Sequence, residues 1–242
     1  MVSIDVENLG LVYTLRSKPS LALKGRRALL SSDRIRRDGR KRQVLALEGV
    51  SFSLQAGDRL GIVGSNGAGK TTLLKVLYGV YPPRSGTIHV SGRVDALFNI
   101  NLGFRPEATG RRNIELRGLI NGWTAAEIGG RMDDIVAFSE LGEFIDMPFK
   151  SYSTGMAARL AFAVATTLEP EILLMDEWIG AGDPSFQEKA RARMDALAEK
   201  AGIIVLASHN HSLLRRTCNK ILHLESGRIA AFYDKISEFE ME

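Results

Sequence analysis

The sequence has little cysteine: Cys218 is the one cysteine among 242 residues. A single cysteine cannot form an intrachain disulfide, which excludes a disulfide-stapled scaffold and favours a reducing, cytosolic compartment. Long apolar runs are also missing, because the run LAFAVATTL after Arg159 ends at Glu169. A membrane-spanning helix needs about 20 mostly apolar residues, so we expect any membrane association to come from a partner. The opening segment MVSIDVENLG has no basic stretch followed by an apolar one, and we expect no secretion signal there.

The composition is that of an ordinary globular protein. Hydrophobic residues make up 45% of the chain and charged residues 25%, which is enough apolar content to build a core and too much for a disordered chain. The glycines follow no three-residue period, which excludes a collagen-like helix. The length fits one large domain or two small ones.

Positive charge is concentrated in one segment. The formal net charge is +4, yet residues 16–42 contain eleven Lys or Arg and two Asp, a local charge of +9 that leaves −5 for the remainder. We treat 16–42 as a basic insertion in which PS at 19–20 can begin a short helix. A block of this kind serves nucleic acid, anionic lipid head groups or an acidic protein surface, or is simply a solvated loop, and charge alone does not choose among these.

The alternation of β-branched apolar runs with helical patterns predicts an α/β fold with a parallel or mixed sheet covered by helices. The clearest strands are DRLGIV (58–63), EILLM (171–175) and IIVLA (203–207), with shorter ones near 3–7, 11–14, 44–55, 86–90 and 220–230. SGR at 226–228 suits a hairpin turn. Residues from about 98 to 168 are predicted to form an inserted helical subdomain, with helices near 107–121, 124–140 and 155–168.

A phosphate-binding loop follows the first clear strand. GSNGAGKT, from Gly64 to Thr71, matches GxxxxGK[ST] and leads into the helical pattern TTLLKVLYG. Glycines let backbone N–H groups turn inward around phosphate oxygens, Lys70 can reach the β and γ phosphates, and the Thr71 hydroxyl can bind Mg²⁺. The predicted nucleotide-binding residues here are Ser65, Asn66, Gly67, Ala68, Gly69, Lys70, Thr71 and Thr72.

Two acidic residues close the strand EILLM. We predict that Asp176, the last strand residue, holds Mg²⁺ through water. Glu177, one step into the loop, is predicted to point at the γ phosphate and to polarise the attacking water as a general base. Placing two carboxylates at the end of a buried strand costs free energy, and a role in binding an ion or in catalysis would explain why they are there.

The strand IIVLA leads to SHN at 208–210, and strands that end at one edge of a sheet bring their tips to one crevice. We therefore predict that His209 faces the γ phosphate and orients the water. His89, His211 and His223 lack this placement and are interpreted as surface or turn residues, with His211 close enough to remain an alternative.

A further segment, YSTGM (152–156), opens a helical pattern. By itself it indicates only a helix N-terminus capped by Ser153 or Thr154, although such an N-terminus is also an anion site.

Taken in order, GSNGAGKT, YSTGM, EILLMDE, GAGD (180–183) and SHN resemble the nucleotide-binding subunit of an ATP-binding cassette (ABC) transporter over residues 44–230. The resemblance implies an ABC ATPase domain spanning 1–242, with ATP and Mg²⁺ as ligands. It also implies a head-to-tail homodimer in which the signature segment of one subunit binds the γ phosphate held by the other. The residues implied for that contact are Ser153, Thr154, Gly155 and Met156, with Asp183 in the loop that links the two sites.

Two more positions follow from the same resemblance. Tyr13 is the candidate for the aromatic residue that stacks on adenine. Asn99, in LFNINLGF, stands where the family usually offers a Gln to Mg²⁺. Asn is shorter by one methylene, so we expect direct contact with the ion to be lost or replaced by water.

LGFRPEATGRRNI (102–114), the STGM signature and GAGDPSFQEKA (180–190) are similar to exporters of lipid-linked polysaccharides, the O-antigen, teichoic acid and galactan systems. This implies a peripheral subunit at the cytoplasmic face of the inner membrane that works with a separate permease. The segment 16–42 would then contact the permease or lipid head groups, and we expect no nucleic acid. Some members append a carbohydrate-binding domain for which this chain has no room, so we expect the permease to recognise the polymer. The alternative is a soluble ABC-type ATPase that acts on nucleic acid or the ribosome.

Overall fold

The computed structural model describes residues 1–16, 35–38, 41–98, 103–167, 169–177 and 184–239. These form two units. The sheet unit comprises Met1–Val94, Glu171–Glu177 and Gly202–Glu242, and the helical unit comprises Asp95–Pro170 and Trp178–Ala201. The elements in chain order are β1 (Ser3–Arg16), β2 (Ile35–Asp38), β3 (Lys41–Gln55), β4 (Arg59–Val63), α1 (Lys70–Leu77), β5 (Ser85–Ser91), β6 (Val94–Leu97), α2 (Gly110–Ile120), α3 (Ala125–Ser139), α4 (Thr154–Ala165), β7 (Ile172–Asp176), α5 (Pro184–Lys200), β8 (Ile203–Ala207), α6 (His211–Thr217), β9 (Lys220–Glu225) and β10 (Arg228–Tyr233).

The sheet unit contains a mixed sheet, one of the two predicted alternatives, in which β10 is antiparallel to β9. Its strands run in the order β10-β9-β4-β8-β7, with β4 parallel to both β8 and β9, and β7 parallel to β8. All five residues of β8 are buried, as are the first four of β7. This confirms the expectation that these continuous apolar runs are covered on both faces. Since β4, β7, β8 and β9 are parallel, their carboxyl ends share one edge, where the polar residues that follow them meet.

An antiparallel sheet of four strands, in the order β2-β3-β1-β5, completes the sheet unit. The two short strands predicted near 3–7 and 11–14 are one strand, β1, whose pairing with β3 shifts register between Val6 and Val12. Bulges of this kind let one strand continue through a bend. The apolar alternation is interrupted at the bend, so the sequence predicted two strands where the structure has one.

The structure places the two ends of the predicted basic insertion in this antiparallel sheet. Arg16 ends β1, residues 35–38 form β2, and Lys41 begins β3. Residues 17–34 and 39–40, including the predicted helix start at 19–20, lie outside the described residues.

The turn between β9 and β10 is the predicted hairpin turn. Ser226 (φ 49°) and Gly227 (φ 84°) both adopt positive φ, as the turns that match the twist of a hairpin require.

The helical unit contains the three predicted helices α2, α3 and α4, each within a few residues of its expected ends. Thr124 caps α3 in a reciprocal capping box with Glu127. The three helices enclose an apolar core that includes Ile114, Ile135 and Leu160, all fully buried. Within the described residues, no helix combines the length and the apolar character that crossing a membrane would require.

Candidate functional site

The loop between β4 and α1 has the conformation that its glycines allow. Gly64 has φ 146° and Gly69 has φ 117°, a region that residues with a Cβ rarely adopt. A Cβ on Gly64 would overlap the carbonyl oxygen of Leu224. Gly69 is the N-cap of α1, so this helix begins at the end of the glycine loop with its first N–H groups directed at the loop. A helix N-terminus behind a glycine loop is an anion-binding arrangement.

Lys70, the first residue of α1, lies across this loop. Its Nζ donates to the carbonyl oxygens of Gly64 (2.6 Å) and Ser65 (3.2 Å) and lies 3.1 Å from Nε2 of His209. Burial lowers the pKa of Lys70, and the negative charges of Glu177 and Asp176 act in the opposite direction. Lys70 is 9% exposed and is therefore held at the site.

Thr71 and Asp176 meet at the start of α1 and the end of β7. The Thr71 hydroxyl donates to Oδ2 of Asp176 over 2.6 Å. A hydroxyl and a carboxylate this close are the protein oxygens that Mg²⁺ uses beside substrate phosphates and water. The described residues contain no cluster of three or more His, Cys, Asp or Glu that could hold a metal unaided. The Thr71 hydroxyl and the Asp176 carboxylate fit an ion whose other ligands come from water and nucleotide.

Glu177 is fixed by two residues that follow β8. The Ser208 hydroxyl donates to its Oε2 (2.9 Å) and the backbone N–H of His209 to its Oε1 (3.1 Å). Its backbone is left-handed (φ 66°), which costs energy in a residue with a side chain and is typical of functional sites. The predicted general base is thus held by both carboxylate oxygens.

Ser208 is a site residue that the sequence reasoning missed. It is 1% exposed, and its hydroxyl oxygen also accepts the N–H of Asn210, the residue that caps α6. Its position between a buried strand and His209 was the available signal, because strand ends on a parallel sheet share one crevice.

A cavity of about 390 Å³ brings the predicted residues of the sheet unit together. Glycine-loop residues, Lys70, Asp176, Glu177 and His209 line one part of it, and Tyr13, Val44 and Ala46 line another. Tyr13 and Val44 are cross-strand partners in β1 and β3. The Tyr13 hydroxyl donates to Oγ1 of Thr72 (3.3 Å). Burial raises the pKa of Tyr13, so this hydroxyl remains a donor at neutral pH.

Among the predicted glycine-loop residues, Asn66, Gly67, Gly69, Thr71 and Thr72 line the cavity. Ser65 instead faces a second cavity of about 460 Å³ that His211 and His223 also line, and Ala68 is buried beneath the loop. His89 is exposed on β5.

The predicted signature segment begins α4 in the helical unit. Ser153 is the N-cap, with its side-chain oxygen accepting the N–H of Met156 over 3.2 Å. Ser153 and Thr154 are exposed, and Gly155 and Met156 are half-buried. A Cβ on Gly155 would meet only the Ser153 Oγ within 4 Å, so the turn presents open backbone to solvent. Asn99 and Asp183 lie outside the described residues.

A glycine loop before a helix, a lysine across it and an acidic pair at the carboxyl end of β7 define a P-loop nucleotide-binding site. The described sheet order and helices place this site in an α/β fold, as the sequence predicted. A sequence profile of the ABC transporter family matches residues 47–180. The chain belongs to the ABC transporter family.

Relatives and solved structures agree with this assignment. The O-antigen export system ATP-binding protein RfbE of Yersinia enterocolitica is 40% identical over 232 residues, 95% of this chain and 97% of that protein. RfbB of Myxococcus xanthus, with the same description, is 44% identical over 186 residues, 77% of this chain but 43% of that protein. A dimeric ATP-binding cassette solved in a post-hydrolysis state with ADP and Pi superposes with a TM-score of 0.67 at 20% identity, covering 96% of this chain and 99% of that one.

Proposed function

We propose that this chain is the ATP-hydrolysing subunit of an exporter of lipid-linked polysaccharide and that it works with a separate permease. The proposal of ATPase activity rests on one observation, that Lys70, Asp176, Glu177 and His209 line the same cavity. The polysaccharide part rests on relatives described as O-antigen export ATP-binding proteins, one of them aligned over nearly the whole of both chains.

The proposed reaction is hydrolysis of the bond between the β and γ phosphates of ATP. Lys70 and the N–H groups at the start of α1 hold the phosphate oxygens, and Thr71 and Asp176 would hold Mg²⁺. When bound, that ion neutralises charge on the phosphates. Glu177 accepts a proton from the attacking water, whose oxygen bonds to the γ phosphorus as the bridging oxygen leaves with ADP. His209 orients the same water.

In this proposal, the bound nucleotide replaces contacts that Lys70 and Thr71 make within the protein. The Lys70 amine is bonded to loop carbonyls and His209, and the Thr71 hydroxyl is bonded to Asp176. A triphosphate gives the amine stronger, charge-assisted partners, so these short contacts are expected to rearrange without a change of fold.

A second copy of the chain completes the site in this proposal. The turn of Ser153, Thr154 and Gly155, of which the first two residues are exposed, offers a capped helix N-terminus to the γ phosphate held by the partner. A relative of known structure is described as dimeric with ADP and Pi. Closure around ATP moves the permease, and loss of the γ phosphate lets the halves separate. Asp183 would lie in the loop that links the two sites.

We infer a peripheral location at the cytoplasmic face of the inner membrane. Large apolar side chains are exposed on the helical unit and offer surface for a permease: Leu119, Ile120, Phe144 and Met147. The basic segment 16–42 would lie toward lipid head groups or the permease, where its charge is useful. Nucleic acid or a ribosome remains the weaker alternative, because none of the relatives named above is described in those terms.

The chemical part is tested with Glu177→Gln. Loss of the base is expected to lower turnover by about 10²- to 10⁴-fold with ATP affinity retained. Glu199→Gln on α5 is the matched control and is expected to behave as the wild type. Wild-type turnover in Glu177→Gln would remove this carboxylate from the proposed role. The transport part is tested by co-purification from membranes: retention on membranes only when the permease is co-expressed supports it, and retention on nucleic acid contradicts it.

A further inference from the structure

Tyr13 is held by contacts with Tyr81 and Thr72 that the sequence did not indicate. Its ring meets that of Tyr81 edge to face, with centroids 5.3 Å apart and planes at 82°. Its hydroxyl is bonded to Thr72. Tyr81 is half-buried and is not among the residues that line the nucleotide cavity. It contacts the cavity lining through the ring of Tyr13.

Both of these contacts come from the segment that forms the phosphate site. Thr72 lies in the first turn of α1, and Tyr81 follows the end of the same helix. The loop that carries Tyr81 is fixed at both ends. The Val80 N–H donates to the carbonyl of Lys75 (2.8 Å), and the Arg84 N–H donates to the carbonyl of Gly10 in β1 (2.8 Å). One helix, α1, therefore fixes the position of the Tyr81 ring relative to the glycine loop.

Tyr13 lies in the part of the cavity that Val44 and Ala46 also line. These two side chains are apolar, and the Tyr13 hydroxyl is already bonded to Thr72. Binding of a base at this end therefore depends on stacking and shape. Stacking is sensitive to ring orientation, because aromatic pairs prefer offset or edge-to-face geometry.

We propose that Tyr81 is a positioning residue for nucleotide binding, which orients the Tyr13 ring so that the base of ATP stacks on it in register with the phosphate loop. This inference rests on the proposed function. Tyr81 contributes affinity for the base and none for the phosphates. The competing explanation is that Tyr81 only stabilises the loop after α1, in which case its loss would affect every part of the site.

The test compares two probes, ATP and inorganic tripolyphosphate, which has the phosphate chain but no base. Binding of each, with Mg²⁺, is measured by calorimetry on the full chain. Tyr81→Leu is expected to weaken ATP binding by about 3- to 10-fold, the effect of losing an aromatic pair, and to leave tripolyphosphate binding within about twofold. In steady-state assays KM for ATP should rise by the same factor with kcat unchanged.

Three controls make the result specific. Tyr81→Phe retains the ring and should bind ATP like the wild type. Tyr78→Leu removes a neighbouring exposed tyrosine and should change neither probe. In a Tyr13→Leu background, Tyr81→Leu should have no further effect, since residues that act as a unit are not additive.

Equal weakening of ATP and tripolyphosphate, unchanged ATP binding in Tyr81→Leu, or a Tyr81→Phe variant as weak as Tyr81→Leu would each overturn the proposal. A wild-type chain that binds neither probe would instead overturn the proposed function itself.

Discussion

The contact between Ser208 and Glu177 gives a sharp prediction. Ser208→Ala removes the donor to Oε2 and leaves the His209 N–H on Oε1. A hydrogen bond to a charged group contributes about 1.5–3 kcal/mol. If all of that energy held the carboxylate for proton transfer, its loss would lower kcat by roughly 10- to 150-fold. Because the second hydrogen bond remains, we expect the lower end, about 10-fold, with KM for ATP unchanged.

The assay is steady-state phosphate release for four proteins: wild type, Ser208→Ala, Glu177→Gln and the double variant. A positioning residue has nothing to position once the base is gone, so adding Ser208→Ala to Glu177→Gln should change kcat by less than about twofold. Ser139→Ala is the matched control. Ser139 is also fully buried, but its hydroxyl donates to a helix carbonyl, that of Val136 (2.8 Å).

Ser139→Ala should lower the free energy of unfolding by about 1 kcal/mol without affecting kcat. The reasoning is refuted if the losses from Ser208→Ala and Glu177→Gln multiply, or if Ser139→Ala slows turnover as much as Ser208→Ala does.

The remaining predictions each follow from a single residue. Lys70→Ala should abolish ATP retention on filters at a concentration that saturates the wild type, because the buried cation is lost, and undiminished retention would count against the phosphate loop. Burial raises the pKa of the Cys218 thiol to about 12, so the native protein at pH 8 should resist iodoacetamide while the unfolded chain reacts; equal rates in both states would contradict the burial. Since this folded-state pKa is raised, the contribution of Cys218 to the free energy of unfolding should fall as pH rises from about 9 to about 12. Gly64→Ala should lower the free energy of unfolding by more than about 1 kcal/mol, because its Cβ overlaps a carbonyl at positive φ. Gly129→Ala, in the open middle of α3, should raise it by about 0.5–1 kcal/mol in the same denaturant titration, and the opposite order would contradict the structure.

The fold was predictable where residues that are consecutive in the sequence also form one continuous local structure. The strand that ends at Val63, the glycine loop and the helix from Lys70 are consecutive, so local spacing specifies their geometry. Strands β7 and β8 were predictable because runs buried on both faces contain only apolar residues. The carboxylates and His209 followed from the rule that parallel strands end at one edge.

What was missed depends on distant side chains. The Ser208 hydroxyl meets a carboxylate 31 residues away, and the Tyr13 hydroxyl meets Thr72 across 59 residues. Serine and tyrosine are common in ordinary turns, so the residue types do not reveal these contacts. For Ser208, the available signal was its position at the end of a buried strand. Helices α5 and α6 were not predicted, because the first has mixed polar and apolar residues without a clean stripe and the second has only seven residues.

The most direct test of the account is the association state of Glu177→Gln with and without ATP, measured by sedimentation over a range of protein concentrations. A variant that binds ATP but cannot cleave it should convert from single chains to pairs when Mg²⁺ and ATP are added. Ser153→Arg in the same background should prevent pairing, because it places a bulky cation in the turn that must meet the partner's phosphate. Single chains at every ATP concentration, together with full-speed hydrolysis by a monomeric wild type, would contradict the claim that two copies build each site.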